Sequence, residues 1–190
     1  MKIPVEISAR HVHLSEKDFE ILFGKNKKLT SIKNLSQLGE FASEEKLTIF
    51  SDSGRKIEDV RILGPFRQNS QIEISFTDVY TLKLNKIPEI RVSGDLADTI
   101  SVLVKGSKSS VKVPCIIAQR HIHCSLTEAK KLKLKNNQKV SVKISGKREI
   151  TFHNIIVRIS EKYRLALHLD TDEGNAAGIT GKAFGEIVKN

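Results

Sequence analysis

The sequence predicts a mainly β, barrel-like protein with a few short capping helices. Short runs rich in β-branched residues alternate with turn residues along the chain, whereas helix-forming patterns are few and short. The chain also contains a degenerate internal repeat, in which a histidine motif, a short helix and a β-hairpin follow one another twice. Many short strands joined by turns are typical of barrels, and we expect that architecture here.

The size and composition of the chain exclude several classes of protein. With 190 residues and 39% hydrophobic content, it can bury a core as one larger domain or two small ones. No run approaches the roughly 18 apolar residues of a membrane span, and the first residues lack the apolar core of a secretory signal, so we expect a cytoplasmic protein. The two cysteines, Cys115 and Cys124, form no C-x-x-C pair, which argues against a disulfide framework and against a thiolate zinc site.

The chain carries a formal net charge of +10, from 32 Lys and Arg against 22 Asp and Glu. Such an excess favours polyanionic partners, either nucleic acid or small molecules that bear phosphate. Only 5% of the residues are aromatic and no basic helix is apparent, so a stacking platform for single-stranded nucleic acid is poorly supported. We attribute most of the excess to a solvated lysine surface.

Two R-H-[V/I]-H motifs, at residues 10–13 and 120–123, open the two copies of the repeat. Each motif follows an apolar, strand-like run and precedes a serine in the pattern S-x-x-[D/E]. In that pattern the serine and the acid each accept a hydrogen bond from the other's backbone N–H and start a helix. Short helices are therefore expected after Ser15 and Ser125, and the first should end at Gly24, because glycine tolerates a left-handed cap.

Downstream of each predicted helix, β-branched runs on both sides of turn residues predict a hairpin. The first hairpin begins with residues 47–50 and the second with residues 140–144. Their returning strands end in Val-Arg-Ile, at 60–62 and at 157–159, and we align these two triplets with each other.

The segments after the hairpins also correspond, at residues 72–78 and 167–172. This pairing places Glu73 opposite His168 and so offers each copy of the repeat a third side chain of a type that binds metal. The alternative for Glu73 is a solvent-facing position on a half-buried strand, since it alternates with isoleucines.

The H-x-H spacing itself favours metal binding. Residues i and i+2 of a strand point to the same face, so two imidazoles can share one ion such as zinc, at about 2.0–2.1 Å each. Histidines that only make hydrogen bonds are the usual interpretation of a lone His, but two such motifs with the same preceding arginine argue against it. The two candidate ligand sets are His11, His13 and Glu73, and His121, His123 and His168.

Three further features lie near these motifs. Arg67 follows a Gly-Pro turn a few residues before Glu73, and its planar fork suits phosphate, although a surface salt bridge is the alternative. His153 has no counterpart in the repeat and is interpreted as structural, and Cys124 should point into the core as a small apolar filler. The segment 170–178 combines acids with small residues, which is typical of a close backbone approach to a ligand, but it lacks the register of a calcium loop.

Six ordered motifs, together spanning nearly the whole chain, resemble those of the PduL-type phosphate acyltransferases, also called phosphate propanoyltransferases or phosphotransacylases. They are S-A-R-H-V-H-L-S at 8–15, L-S-Q-L-G-E-F-A at 35–42, V-R-I-L-G-P-F-R at 60–67, R-V-S-G-D at 91–95, A-Q-R-H-I-H at 118–123 and H-L-D-T-D-E-G-N-A-A at 168–177. Departures from the family pattern, at Cys124 and at residues 80–84, concern packing or dimer contacts more than chemistry.

The resemblance implies two small, intertwined β-barrels, corresponding to residues 1–112 and 113–190, with the first strand exchanged between them and a two-metal active site between the barrels. It implies transfer of an acetyl or propanoyl group between coenzyme A and inorganic phosphate, in a homodimer. The family's metal ligands fall on the two sets given above, and its phosphate-binding arginine falls on Arg67. Its coenzyme A contacts fall on Ser8, Lys33, Arg61, Leu63, His168 and Asn175.

Members of microcompartments carry an amphipathic extension before the first motif, whereas here only seven residues precede Ser8, so the resemblance favours a cytosolic member. Two alternatives from other classes stay open at this point. One is a cupin-like metalloenzyme, although a cupin places its Glu a few residues after H-x-H rather than 59 residues later. The other is a zinc-stabilised nucleic-acid-binding module, for which only the net charge argues.

Overall fold

The structure is a computed structural model that describes residues 2–188. These residues contain fourteen strands and four helices. The strands are β1 (Lys2–Ser8), β2 (His11–His13), β3 (Ser31–Asn34), β4 (Phe41–Phe50), β5 (Lys56–Gly64), β6 (Gln71–Ile74), β7 (Ile90–Arg91), β8 (Ser101–Lys105), β9 (Ser110–Ala118), β10 (His121–Cys124), β11 (Lys139–Ile144), β12 (Ile150–Ile159), β13 (Ala166–Asp170) and β14 (Ala183–Val188). The helices are α1 (Glu16–Phe23), α2 (Phe76–Leu82), α3 (Leu126–Leu132) and α4 (Thr171–Ala176).

The chain divides into two compact units. The first unit is Arg10–Ala118, and the second unit combines the stretch up to Ala9 with the stretch from Gln119 onward. In the second unit six strands close a barrel in the order β1-β13-β10-β12-β11-β14. In the first unit β8 pairs with both β4 and β9, which closes a ring of six strands, β4-β5-β2-β6-β9-β8, with β3 and β7 attached to it. The prediction of a mainly β fold of two barrels with short helices is confirmed.

Both rings follow the same plan of parallel and antiparallel pairs. Each histidine strand, β2 or β10, lies parallel to one neighbour and antiparallel to the other. The strand that precedes each histidine motif, however, belongs to the opposite unit: β1 pairs with β13 and β14, and β9 pairs with β6 and β8. The compact units therefore differ from a plain division into residues 1–112 and 113–190.

Two separate cores fill the units. The residue between the two histidines of each motif points inward, so Val12 and Ile122 are fully buried among aliphatic side chains of their own barrels. Cys124 is also fully buried in the core of the second unit, as predicted. Because strand residues alternate between faces, this inward anchor fixes the histidines on the other face of the strand.

The two predicted helices begin directly after the capping serines, Ser15 and Ser125. Ser15 caps α1 by accepting a hydrogen bond from the backbone N–H of Asp18, and Ser125 shares a complete capping box with Glu128 at α3. Helix α1 ends at Gly24, whose φ of 99° is accessible to glycine because it lacks a Cβ. No helix among residues 2–188 is long and apolar enough to cross a membrane.

Two features of the repeat differ from the prediction. The segments after Glu73 and His168, aligned only as matching runs, each continue into a short capped helix, α2 or α4. The two Val-Arg-Ile triplets are also not equivalent in the structure, since His11 lies opposite Arg61 whereas His121 lies opposite Ile156. The sequence alignment of these two strands was therefore wrong by two residues.

Candidate active site

The first ligand set lies on two neighbouring strands of the first unit. His11 and His13 are on β2, and β2 pairs antiparallel with β6 so that His11 and Glu73 are direct partners. The Nε2 atoms of the two histidines are 3.2 Å apart. The Glu73 carboxylate lies 3.6 Å from His11 Nε2 and 4.0 Å from His13 Nε2, and all three residues are buried.

These distances fit a cation with tetrahedral coordination. Ligand atoms at about 2.0–2.1 Å from zinc in tetrahedral geometry are about 3.4 Å from one another. The measured separations of 3.2 to 4.0 Å bracket that value. Two imidazoles and a carboxylate are also a donor set that zinc accepts, and three such groups leave a fourth position for a substrate atom.

The second ligand set repeats the arrangement in the second unit. His121 and His168 are direct partners across β10 and β13, and His123 lies two residues along β10. Nitrogen atoms of the three rings lie within 4.8 Å of one another. The Nδ1 of His121 donates to the backbone carbonyl of Gln119 at 2.8 Å; because a carbonyl only accepts, Nε2 of the neutral ring keeps the lone pair that a metal needs.

Within each unit the structure thus brings together the three side chains that the repeat suggested. Within residues 2–188 these two sets are the two groups of three ligand-type side chains that are close enough to hold an ion. Their assignment as zinc ligands stays a prediction.

A hydrogen-bond network joins Arg67 to the first set. Ser93 Oγ donates to Glu73 Oε1 at 2.7 Å and accepts from Arg67 Nη1 at 2.9 Å. The amide of Gln71 donates to the same hydroxyl at 2.7 Å and also to the Glu73 carboxylate. A second nitrogen of Arg67 lies 3.5 Å from Glu40. Arg67 is therefore held one side chain away from the Glu73 carboxylate while its guanidinium stays partly exposed.

The electrostatics of this first set favour the protonation states that bind metal. Burial, together with the neighbouring His11 and Arg67, lowers the pKa of His13 well below its usual value. Burial raises the pKa of Glu73, but the two histidines, the Ser93 hydroxyl and Arg67 outweigh it, so the net shift is downward. At neutral pH the site presents a neutral imidazole beside an ionised carboxylate.

Comparison with known proteins identifies the family. A model of the family described as phosphate propanoyltransferase matches residues 4–180. The chain belongs to the phosphate propanoyltransferase family. A phosphate propanoyltransferase of Lachnoclostridium phytofermentans is 46% identical over 98% of this chain and 85% of its own length. Those of Alkaliphilus metalliredigens and Clostridioides difficile are each 40% identical, over 100% and 98% of this chain and 89% of their own lengths.

In this member of the phosphate propanoyltransferase family, three of the predicted coenzyme A contacts lie on β3 and β5, the two strands that flank β4 in the first unit. Lys33 on β3 pairs with Ala42 on β4, and Ala42 in turn pairs with Leu63 on β5. Arg61 lies two residues before Leu63, and its Nη1 donates to the carbonyl of Ser43 at 2.8 Å. The Lys33 side chain is exposed.

The remaining residues predicted to contact coenzyme A lie in the second unit. Ser8 ends β1 opposite Asp170, the residue that caps α4, and Asn175 lies within that helix. His168 Nδ1 lies 3.7 Å from the Glu6 carboxylate, on the neighbouring strand. The segment 170–178 contains α4, in which Gly174 packs closely against Ile7, and its predicted backbone approach to a ligand stays a prediction.

Sequence reasoning missed two residues that contact the candidate ligands. Ser93 lies in the R-V-S-G-D motif of the phosphate propanoyltransferase family. The motif supported the resemblance, but it indicated no function for Ser93. Tyr163 stacks face to face on His123, with ring centroids 3.8 Å apart, and nothing in the sequence pattern indicates that contact. His153, interpreted as structural, is exposed, forms a hydrogen bond with Ser141 and belongs to neither ligand set.

Proposed function

We propose that this chain reversibly transfers a short acyl group, acetyl or propanoyl, between coenzyme A and inorganic phosphate at a site with two zinc ions. Membership of the phosphate propanoyltransferase family supports acyl transfer between coenzyme A and phosphate in general. The observation that carries the finer proposal is the Arg67–Ser93–Glu73 network, because it holds an anion-binding guanidinium beside a ligand set.

The ligand sets have separate tasks in this proposal. His11, His13 and Glu73 hold one ion, and the three histidines of the second unit hold the other. When bound, zinc supplies Lewis acidity, which stabilises a thiolate leaving group and the negative charge of phosphate. Every other contribution comes from side chains of the chain itself.

Arg67 binds and orients phosphate. Its fork offers charge-assisted hydrogen bonds to two phosphate oxygens, and the bond to Ser93 fixes the guanidinium plane. A phosphate oxygen then attacks the thioester carbonyl carbon; a C–O bond forms, the C–S bond breaks, and the electron pair leaves with the coenzyme A sulfur. Phosphate is already an anion at neutral pH, so positioning and electrostatics suffice without a dedicated general base.

Coenzyme A is held by the residues that the family resemblance assigns. Lys33 and Arg61 meet its nucleotide phosphates, and Leu63, Ser8 and Asn175 are further contacts. His168 contacts the cofactor as well as the ion. Lys33 and Leu63 lie on either side of Ala42, each as its direct strand partner, which supports a shared role of those two residues.

The rival functions make different predictions. A cupin-like enzyme requires a single ligand set with closely spaced members, which the 59 residues between His13 and Glu73 disfavour. A zinc-stabilised nucleic-acid-binding module would bind oligonucleotides in a salt-sensitive way that does not need Arg67. A cytoplasmic location and a homodimer remain predictions; light scattering of the purified protein tests the latter.

The decisive experiment measures metal per chain and phosphate-dependent release of free thiol from acetyl-CoA and propanoyl-CoA. Two zinc ions per chain and thiol release that requires phosphate are expected. Arg67→Ala should raise the KM for phosphate, whereas Arg55→Ala, at an exposed arginine in the β4–β5 turn, should not. A metal-replete protein that releases no thiol from any short acyl-CoA would refute the proposal.

A further inference from the structure

The arginine of each R-H-x-H motif makes the same ion pair. Arg10 Nε donates to Asp78 at 2.7 Å, and Arg120 Nε donates to Glu173 at 2.7 Å. In both cases the acid lies in the first turn of the helix that follows the third ligand. Nothing in the proposed chemistry uses either arginine.

The two acids have identical places in the repeat. Each is the fifth residue after the third ligand, since Asp78 follows Glu73 and Glu173 follows His168. Each also divides its two oxygens in the same way. One oxygen accepts from the arginine, and the other accepts from the backbone N–H of the helix cap, Ser75 or Asp170.

This arrangement persists although the surrounding residues differ between the two units. The third ligand is a carboxylate in one unit and an imidazole in the other, the cap changes from Ser75 to Asp170, and the acid changes from Asp78 to Glu173. A chance surface contact would not recur on the same Nε atom at the same distance. The pair is therefore part of the folding plan that both units share.

The position of the pair suggests its purpose. Strands β2 and β10 are only three and four residues long, so few backbone hydrogen bonds hold the H-x-H strand against the strand of the third ligand. The arginine precedes the first histidine directly, and the acid begins the helix just beyond the third ligand. The ion pair thus closes the open end of a short ladder.

A gain in stability does not account for the pairs. The Asp78 side chain is 2% exposed whereas that of Arg10 is 42% exposed, so the carboxylate loses its hydration while water screens its attraction to the arginine. Burial raises the pKa of Glu173 to about 6 even though Arg120 opposes that shift. When the attraction within an ion pair only about offsets its desolvation free energy, the geometry that the pair imposes is the better explanation of its presence.

We propose that Arg10–Asp78 and Arg120–Glu173 are positioning pairs, each of which holds the third metal ligand of its own unit in register with the H-x-H histidines. The inference rests on the proposed zinc sites. Loss of one pair weakens zinc binding at the ligand set of the same unit and leaves the other set unchanged. The expected loss of affinity is on the order of 10-fold, the lower end of the effect of groups that orient metal ligands.

The test uses proteins that retain one ligand set. His121→Ala keeps the first set and His11→Ala keeps the second, and the zinc Kd of each is measured by competition with a chromophoric chelator. Asp78→Asn and Glu173→Gln are then added to both backgrounds. These amides still offer an oxygen to the helix cap but present no charge to the arginine, so the capping box survives and the ion pair does not.

The expected result is reciprocal. Asp78→Asn weakens zinc binding about 10-fold in the His121→Ala protein and has no effect in the His11→Ala protein, and Glu173→Gln does the opposite. Asp59→Asn and Glu149→Gln, which remove exposed ion pairs with Lys46 and Lys143, serve as matched controls and should change neither affinity.

Each alternative outcome is distinct. Zinc affinities within twofold of the parent, with or without a lower unfolding temperature of the metal-free protein, would overturn the positioning role. Equal weakening of both sets by either amide would indicate general destabilisation and overturn it too. If neither parent binds zinc, the proposed function fails at its metal sites, and the inference fails with it. Should Asp78→Asn not fold, Arg10→Gln removes the same ion pair and leaves the capping box unchanged.

Discussion

Removing the Ser93 hydroxyl should weaken phosphate binding without removing any group that contacts phosphate. Ser93 Oγ donates to Glu73 and accepts from Arg67 and Gln71, so Ser93→Ala breaks three hydrogen bonds at once. Arg67 then keeps the longer contact to Glu40, at 3.5 Å, and its guanidinium turns more freely. We expect a higher KM for phosphate and a smaller change in the KM for acyl-CoA.

The size of the rise in the KM for phosphate follows from the hydrogen bond between Arg67 and Ser93, which orients the guanidinium. A hydrogen bond to a charged group contributes about 1.5–3 kcal/mol, and the lower end applies because Arg67 is partly exposed. About 1.5 kcal/mol corresponds to a rise of roughly 10-fold in the KM for phosphate, since each 1.4 kcal/mol is a factor of ten. Zinc content should fall less, because Gln71 still donates to Glu73.

The assay is the initial rate of thiol release at varied phosphate and saturating acyl-CoA, with zinc per chain measured on the same samples. Ser93→Thr keeps a hydroxyl and should recover most of the affinity, and Ser109→Ala, at an exposed serine, controls for the loss of a hydroxyl elsewhere. A KM for phosphate within twofold of wild type in Ser93→Ala would refute the role given to this network.

Three further predictions concern the second unit and the thiols. His168→Ala should lower bound zinc from two ions towards one per chain and abolish thiol release, whereas His153→Ala, at an exposed histidine, should change neither; wild-type zinc content in His168→Ala would contradict the ligand assignment. Because burial raises the pKa of Glu173 from 4.5 to about 6, the folded state binds the proton more tightly than the unfolded state. The free energy of unfolding of the metal-free wild type, relative to Glu173→Gln, should therefore fall by up to about 2 kcal/mol as the pH rises from 4.5 through 6, as urea titrations at several pH values would reveal. Burial also raises the pKa of Cys115 to about 12 and that of Cys124 to about 11, so neither thiol should react with iodoacetamide at pH 8 until the protein unfolds; rapid labelling of native protein, read by mass spectrometry, would argue against this.

The grouping of the side chains in each candidate ligand set could be predicted, although their role as ligands stays a prediction, because the H-x-H spacing is local. His11 and His13 are two residues apart on a strand and therefore lie on one face. The apolar residue between them, Val12, indicates that the opposite face points into the core of the barrel. The third ligands needed only an alignment of the two repeat copies. Structure adds the separations between the ligand atoms, which no spacing along the chain determines.

The helices after the third ligands were missed although their capping signals are present. Ser75-x-x-Asp78 and Asp170-x-x-Glu173 have the capping-box form, and both boxes are complete in the structure. Helices of seven and six residues are too short to produce an apolar period of 3.6, and each directly follows an alternating apolar run that favours strand. At this length the cap alone indicates the helix.

The misaligned triplets show where similarity between residue types misleads. Val-Arg-Ile occurs on both β5 and β12, yet the structure places Arg61 and Ile156 in equivalent positions beside the first histidine of each motif. The register of two paired strands depends on which side chains enter the core. Ile62 and Val157 occupy equivalent core positions, and both are fully buried aliphatic residues. Contacts between distant side chains, such as Tyr163 with His123, leave no trace in the sequence pattern at all.

The exchange of β1 has a consequence for how the chain folds. When β1 leaves the ribosome its partners, β13 and β14, are still more than 150 residues away in the sequence, whereas the first unit is a continuous stretch that can close by itself. Pairing of such distant segments is slow, because a long loop must close before any contact is gained. The first unit is therefore expected to fold during synthesis, while the second waits for the last strands with an unpaired β1 that a neighbouring chain could capture.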